Sequence, residues 1–271
     1  MLTNPRSERV RSVGGLSRRS VRERSGLFLA EGPQAVREAV RHRPDVIEDL
    51  YVETSSATAE PWAQILAEAD AAGVRVTGVD AAVLAAMSDA RTPQGGAAVC
   101  RRLDVPLAQV LASAPRLLCV LAHVRAPGNA GTVLRGADAT GADAVIVTQA
   151  SVDVYNPKVV RSTVGSLFHL PVVLGVPVDE AIAAVSAAGL ATYAADGGGD
   201  TSTPDADLAR PHAWVMGNEA WGLPEDTRSR CDAVVALPIY GAAESLNLAM
   251  AATVCLYASA GALHGTPGGA R

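Results

Sequence analysis

Short apolar runs alternate with stretches whose apolar positions recur every three to four residues, the pattern of strands alternating with helices. Residues 26–31 read as a strand. Pro33 then stands where a first helical turn tolerates proline, and Val36, Ala39 and Val40 give helical spacing. A strand over 46–52, an Ala-rich helix over 63–72 and a strand over 74–79 follow. Asp80 is placed to cap a helix that runs to about Met87, and 95–100 closes the series as a strand. Residues 25–105 therefore predict a small α/β module of their own.

Residues 101–115, with Pro106 and Pro115 around a short helical patch, read as a connector into a second alternation over 115–264. The run 117–122 is continuously apolar, as expected of a strand covered on both faces. A helix over 131–140, a strand over 144–147 and a helix opening at Asn156-Pro157 follow. Further strands are expected at 172–174, 191–194, 214–216 and 234–237, then a last helix over 245–263 and a short tail from Gly265. Such alternation predicts a parallel sheet, so the fold class is α/β in two domains.

Composition narrows the classes. Of 271 residues 49% are hydrophobic and 19% charged, which suits a globular chain and argues against overall disorder. The stretch 245–263 carries no charge but opens on Ser-Leu-Asn and contains Ser259 and Gly261, so a buried helix is expected and no membrane span. Arg6, Arg9 and Arg11 are followed by no apolar run of signal-peptide type. Cys100, Cys119, Cys231 and Cys255 are scattered within or beside apolar runs, and the five histidines form no H-E-x-x-H. Reduced core thiols in a cytoplasmic protein without a metal are expected. The formal net charge is −5, but residues 1–24 hold seven Arg against two Glu. A basic N-terminal arm on an acidic body can meet phosphates locally, although an Arg-rich terminus is as readily a solvated, frayed end.

Parallel sheets bind ligands beyond the carboxyl ends of their strands, and three segments there carry polar groups. After 117–122 comes Arg125-Ala-Pro-Gly-Asn129-Ala-Gly131, read as a tight loop, with Arg135 on the following helix as a donor fork for phosphate. After 214–216 come Gly217, Asn218, Glu219, Trp221 and Gly222, where glycines permit close backbone approach to a ligand. After 234–237 come Pro238, Ile239 and Tyr240, then Glu244-Ser245-Leu246-Asn247 at the mouth of the last helix, where Ser and Asn are ordinary caps. No G-x-G-x-x-G is present, and Gly197-Gly198-Gly199 opens no helix, which disfavours a nicotinamide site.

Asn129-x-Gly131-x-x-x-Arg135, Gly217-Asn-Glu219-x-x-Gly222 and Pro238 with Glu244-Ser245-Leu246-Asn247 resemble, in order, the three motifs of the SpoU/TrmH family of RNA 2'-O-ribose methyltransferases in the SPOUT superfamily. The segment from Asn156 to Ser166 is similar to a family segment between the first two motifs. Phe28-Leu-Ala-Glu31-Gly32-Pro33 resembles the start of the family's L30e-like substrate-binding domain. Two departures stand out: Ala126 replaces an acidic or Asn residue, and Ala220-Trp221 replaces a glycine after Glu219.

The resemblance implies a deep trefoil knot, S-adenosyl-L-methionine as cofactor, RNA as substrate and a homodimer through the knotted domain. It implies a catalytic set of Asn129, Arg135, Glu219, Ser245 and Asn247, and cofactor contacts from Met216, Gly217, Leu237, Ile239, Leu246 and Asn247. Asn129 and Arg135 are expected to face the target ribose across the dimer interface, for which Leu248, Ala251, Ala252, Cys255 and Leu256 offer an apolar helix face. The two-domain arrangement favours a ribosomal RNA target of 23S type. A transfer-RNA enzyme of the same family, or a non-catalytic RNA-binding protein on the same scaffold, are the alternatives.

Overall fold

In the computed structural model, which describes residues 1–265, the chain begins α1 (Glu8–Gly14), α2 (Arg19–Ser25), β1 (Leu27–Glu31), α3 (Pro33–His42), β2 (Ile47–Glu53), α4 (Trp62–Ala71), β3 (Val76–Val79), α5 (Ala81–Met87) and β4 (Gly96–Arg101). It continues α6 (Leu107–Ala112), β5 (Leu117–Leu121), α7 (Pro127–Ala139), β6 (Ala144–Val147), α8 (Pro157–Thr163), β7 (Val172–Leu174), α9 (Val178–Ala187) and β8 (Ala191–Ala195). Then come β9 (Thr201–Ser202), β10 (His212–Met216), α10 (Glu225–Arg228), β11 (Ala233–Ala236) and α11 (Leu248–His264). Beyond Gly265 the expected tail lies outside the described residues.

Two compact units result. The first is Met1–Leu103 with Asp153–His169, and the second is Asp104–Val152 with the chain from Leu170 onward. The first unit is built on a sheet of order β1-β4-β2-β3, antiparallel except for β2 with β3. Residues 1–24, expected as a separate arm, are folded into it. Val10, Val13 and Leu16 are buried among Leu29, Tyr51, Val83, Leu84 and Met87. Burial of such side chains stabilises by about 1.5–3 kcal/mol each, which outweighs the local excess of positive charge. Arg9 is bonded to Tyr51 and Asp49. Arg22 is buried and donates to the carbonyls of Leu16 and Ser17 and to Asp153. Two of the seven arginines are thus structural, while Arg6, Arg11, Arg18 and Arg24 are exposed.

The segment Asp153–His169 lies within the second sequence alternation yet packs in the first unit. Phe28 stacks near Tyr155 and Phe168, with ring centroids 4.7 and 6.0 Å away. Arg161 pairs with Glu31 and Asp89. Glu31 also accepts from the Asp89 amide at 2.9 Å. As expected, Asn156 caps α8 by accepting from the Lys158 amide, with Pro157 opening the helix.

The second unit is a seven-stranded, wholly parallel sheet of order β7-β6-β5-β10-β8-β11-β9. All five residues of β5 and all five of β10 are buried, which accounts for their continuously apolar runs. Chain order and spatial order part company here: β10 lies between β5 and β8, and β11 then crosses to the far side of β8. The helix α7 begins at Pro127, four residues earlier than expected. Proline lacks the N–H that a first turn leaves unbonded anyway, so it opens this helix as it opens α3 and α8. The segment around Asn129 is therefore a first helical turn and not a loop.

Helix α11 begins at Leu248 with Asn247 as its cap, so Ser245 stands before the helix and not in its cap. The helix is pinned to β10 by a closed set of polar bonds among fully buried side chains. Ser259 accepts from the Trp214 indole at 2.8 Å and meets His212 Nε2 at 2.6 Å, while His212 Nδ1 donates to the Arg210 carbonyl. The face of α11 offered by sequence for dimerisation is largely consumed within the chain: Ala252, Cys255 and Leu256 are buried. The exposed apolar residues lie round the helix at Met250, Val254 and Tyr257. Cys100, Cys119 and Cys255 are buried free thiols, and burial pushes each thiol well up, which disfavours the reactive thiolate. No helix among the described residues is long and apolar enough to cross a membrane.

Candidate active site

The loops that follow β8, β10 and β11 line one cavity of about 430 Å³ in the second unit. Its walls are residues 195–197 at the end of β8, Met216 to Ala220 with Gly222 at the end of β10, and Leu237, Ile239 and 244–248 after β11. The size falls within the usual range of small-ligand pockets. All six residues expected at the cofactor, Met216, Gly217, Leu237, Ile239, Leu246 and Asn247, are in this lining, together with Glu219 and Ser245.

The loop after β10 is closed on itself. Asn218 and Gly222 exchange both backbone hydrogen bonds at 2.9 Å, and Gly222 takes the left-handed φ of 68° that the turn needs. A side chain at Gly217 would collide with the Gly222 backbone, so this turn requires glycine at both ends. Asn218 donates to the His123 carbonyl at 2.7 Å and accepts from the Ala220 amide, fixing the loop against the end of β5. His123 itself takes a left-handed φ of 57°, a conformation uncommon outside glycine.

These fixtures put Glu219 over the start of α7. Its Oε1 accepts from Asn129 Nδ2 at 3.1 Å and from the Ala126 amide at 3.2 Å, and Oε2 takes a long bond of 3.5 Å from the Arg125 amide. Asn129 Oδ1 in turn accepts from Asn247 Nδ2 at 3.1 Å, while Asn247 Oδ1 caps α11. One residue from each of the three motifs is thereby joined in a single chain, Asn247 to Asn129 to Glu219. Each amide has its oxygen and nitrogen assigned by its partner. The Ala126 departure does not break this arrangement, because position 126 contributes only its backbone amide.

Arg135 is not brought to the cavity. It lies on α7 six residues beyond Asn129, about 9 Å along the axis, exposed and without a hydrogen bond or ion pair among the described residues. Helix α11 runs alongside α7, and at Gly136 a side chain would press on Thr253. The small residue sets that close approach. One wall was missed by sequence reasoning. Asp196 and Gly197 follow β8, which was legible as a strand, so the rule of looking beyond each strand end would have reached them. The lining holds three carboxylates, Asp196, Glu219 and Glu244, and no Lys, Arg or His; Asp196 is paired with Arg228, so Glu219 and Glu244 are the groups that favour a ligand carrying positive charge. Outside it, Glu38, His42 and His169 of the first unit are the group with metal-ligand spacing among the described residues, their ligand atoms lying within 4.8 Å of one another.

Comparison with known proteins places this geometry. Residues 116–257 match the SpoU rRNA Methylase family, and residues 7–98 match the MRM3-like substrate binding domain. The chain is 30% identical over 259 residues to the 23S rRNA (guanosine(2553)-2'-O)-methyltransferase RlmP of Bacillus subtilis, covering 94% of this chain and 97% of that protein. It is 34% identical over 232 residues to the 23S rRNA (guanosine-2'-O-)-methyltransferase RlmB of Bordetella pertussis, covering 84% and 94%. Among solved structures, the SpoU methyltransferase AviRb of Streptomyces viridochromogenes superposes with a TM-score of 0.82 at 30% identity, over 96% of this chain and 99% of that one. The AdoMet-bound rRNA methyltransferase of Sinorhizobium meliloti gives 0.81 at 27%, over 95% and 96%. With its three motifs joined at one cavity and residues 116–257 and 7–98 both matched, the chain belongs to the SpoU rRNA methylase family.

Proposed function

We propose that this chain is a cytoplasmic, S-adenosyl-L-methionine-dependent methyltransferase that modifies a ribose 2'-hydroxyl of 23S-type ribosomal RNA. The observation that carries the reading is the hydrogen-bonded chain Asn247–Asn129–Glu219, two of whose members line the cavity. The cavity suits the cofactor: glycines allow close backbone approach, Met216, Leu237, Ile239 and Leu246 offer apolar contact to a base, and the carboxylates favour a cation. S-adenosylmethionine supplies an electrophilic methyl group on a sulfonium that becomes neutral on transfer.

The residues have the following roles on this reading. The backbone of Gly217, Leu237 and Leu246 holds the cofactor, with Met216 and Ile239 packing against it. Asn129 and Asn247 orient the ribose oxygen, and Ser245 shapes the wall beside them. Glu219 Oε2, which carries only the one long bond, takes the ribose proton. Arg135 stays charged, as arginine does in proteins, and holds an RNA phosphate. Because Arg135 stands away from the cavity of its own chain, it serves the cavity of a second copy. We therefore propose a homodimer through the second unit, in which Met250, Val254 and Tyr257 of α11 are covered. A knotted chain path is part of the same reading and is compatible with the strand order β10-β8-β11.

The test is mass mapping of ribose methylation in total RNA from cells with and without the protein. One gained 2'-O-methyl group in large-subunit ribosomal RNA is expected. A methyl gained on transfer RNA alone would replace the substrate, and none on any RNA would reduce the chain to a binding protein. Sedimentation tests the dimer: a monomer at micromolar concentration refutes the placement of Arg135.

A further inference from the structure

Asp196 stands directly after β8 in the cavity wall, and none of the three sequence motifs includes it. Its side chain is 19% exposed and held on one side only. Oδ1 accepts from the Gly198 amide at 2.9 Å and from Arg228 Nη1 at 3.2 Å. Its own amide donates to the Val235 carbonyl at 3.2 Å, and its carbonyl accepts from Gly199 at 3.2 Å. Oδ2 has no hydrogen bond among the described residues and looks toward Gly222, 3.4 Å from where a side chain there would begin. Arg228 is not in the cavity lining and is itself bonded to Glu225. It holds one oxygen still and leaves the other, beside Gly222 of the cavity wall, open to accept.

A carboxylate is an acceptor only, so its ligand must be a donor. The wall around Asp196 is formed by Gly197, Gly217 and Gly222, which present backbone and no side chains. Such a wall admits a rigid ring lying flat against it, with its hydroxyls turned to the carboxylate. In dinucleotide-binding parallel sheets an acidic side chain accepts from a hydroxyl of the ribose in the same way. Resting on the reading of this cavity as the S-adenosylmethionine site, we infer that Asp196 binds the ribose hydroxyls of the cofactor's adenosine half. Arg228 is then a positioning residue for that contact.

Calorimetric titration of the full-length protein with S-adenosylhomocysteine, its 2'-deoxy and 3'-deoxy forms, and 5'-methylthioadenosine tests this. In the unsubstituted protein, loss of a ribose hydroxyl should weaken binding about tenfold to a hundredfold, the range for a hydrogen bond to a charged group. In Asp196→Ala the ratio of deoxy to ribo affinity should fall to within about threefold, because the hydroxyl has lost its partner. Arg228→Met, which keeps the carboxylate, should reduce the ratio in part and provides the reading if Asp196→Ala does not fold. If substitution weakens all ligands alike and the ratios persist, Asp196 is only a wall residue and the inference falls. If S-adenosylhomocysteine weakens while 5'-methylthioadenosine does not, the carboxylate faces the amino-acid half and the inference again falls. Failure of the unsubstituted protein to bind S-adenosylhomocysteine would instead remove the reading of the cavity itself.

Discussion

Glu219→Gln separates the two roles open to this carboxylate. A glutamine with its carbonyl in the place of Oε1 keeps the bonds from Asn129 at 3.1 Å and Ala126 at 3.2 Å. It gives up only the 3.5 Å bond from Arg125, which is at the limit of a hydrogen bond. Exchanging a charged for a neutral acceptor takes each retained bond from about 1.5–3 to about 0.5–1.5 kcal/mol. Glu219 is exposed, and solvent screening reduces the combined loss to about 1 kcal/mol. If Glu219 only holds Asn129 in place, turnover therefore falls less than about tenfold. If Oε2 takes the ribose proton, the amide cannot replace it, and turnover falls by about 10²–10⁴. The assay is single-turnover methyl transfer to a ribosomal RNA transcript with both substrates saturating, beside calorimetric binding of S-adenosylhomocysteine. The expected result is at least a hundredfold loss in turnover with cofactor affinity within about threefold. Turnover within tenfold of the unsubstituted enzyme would refute proton acceptance by Glu219.

Arg135→Lys should keep substantial turnover with an unchanged pH profile, since a lysine still supplies a cation for phosphate; a displaced alkaline limb would make Arg135 the base instead. Ser259→Ala leaves the Trp214 N–H and His212 Nε2 without their partner among buried side chains, two groups at about 1–3 kcal/mol each, and should lower Tm by roughly 5–20 °C in a scanning melt. A loss of less than 2 °C would mean that water or repacking replaces the hydroxyl. Burial holds the His212 pKa below its ordinary value, so the unfolded chain takes up a proton that the folded chain refuses. The contribution is complete above about pH 6.5 and shrinks as pH falls below it. Denaturant melts from pH 7.5 to 5.5 should show that decline, and His212→Gln should flatten it.

The alternation of elements, the parallel sheet of the second unit and the three polar segments beyond its strands are all legible in the amino-acid order alone. Those features are local: periodicity, proline at a first turn and caps such as Asp80 and Asn156 act within a few residues, and β6 and β7 fall where the apolar runs predict. The family resemblance carried the site further, since each cofactor residue it implied stands in the cavity lining. Features that depend on partners distant in the chain emerge when the chain folds. The N-terminal arginines looked free because nothing nearby in sequence announces that Val10 and Val13 pack against α5, or that Asp153 waits for Arg22. The α11 face that periodicity offered to a second copy is spent within the chain, on α7 and on β10, because apolar spacing reports burial and not against what. The same holds at the site. Asn129, Glu219 and Asn247 were each readable as polar residues near an element's end, yet their hydrogen-bonded chain spans separations of 90 and 118 residues. Asp196 shares their cavity with no motif to mark it. Strand order across the sheet, which no local pattern encodes, is what sets these side chains side by side.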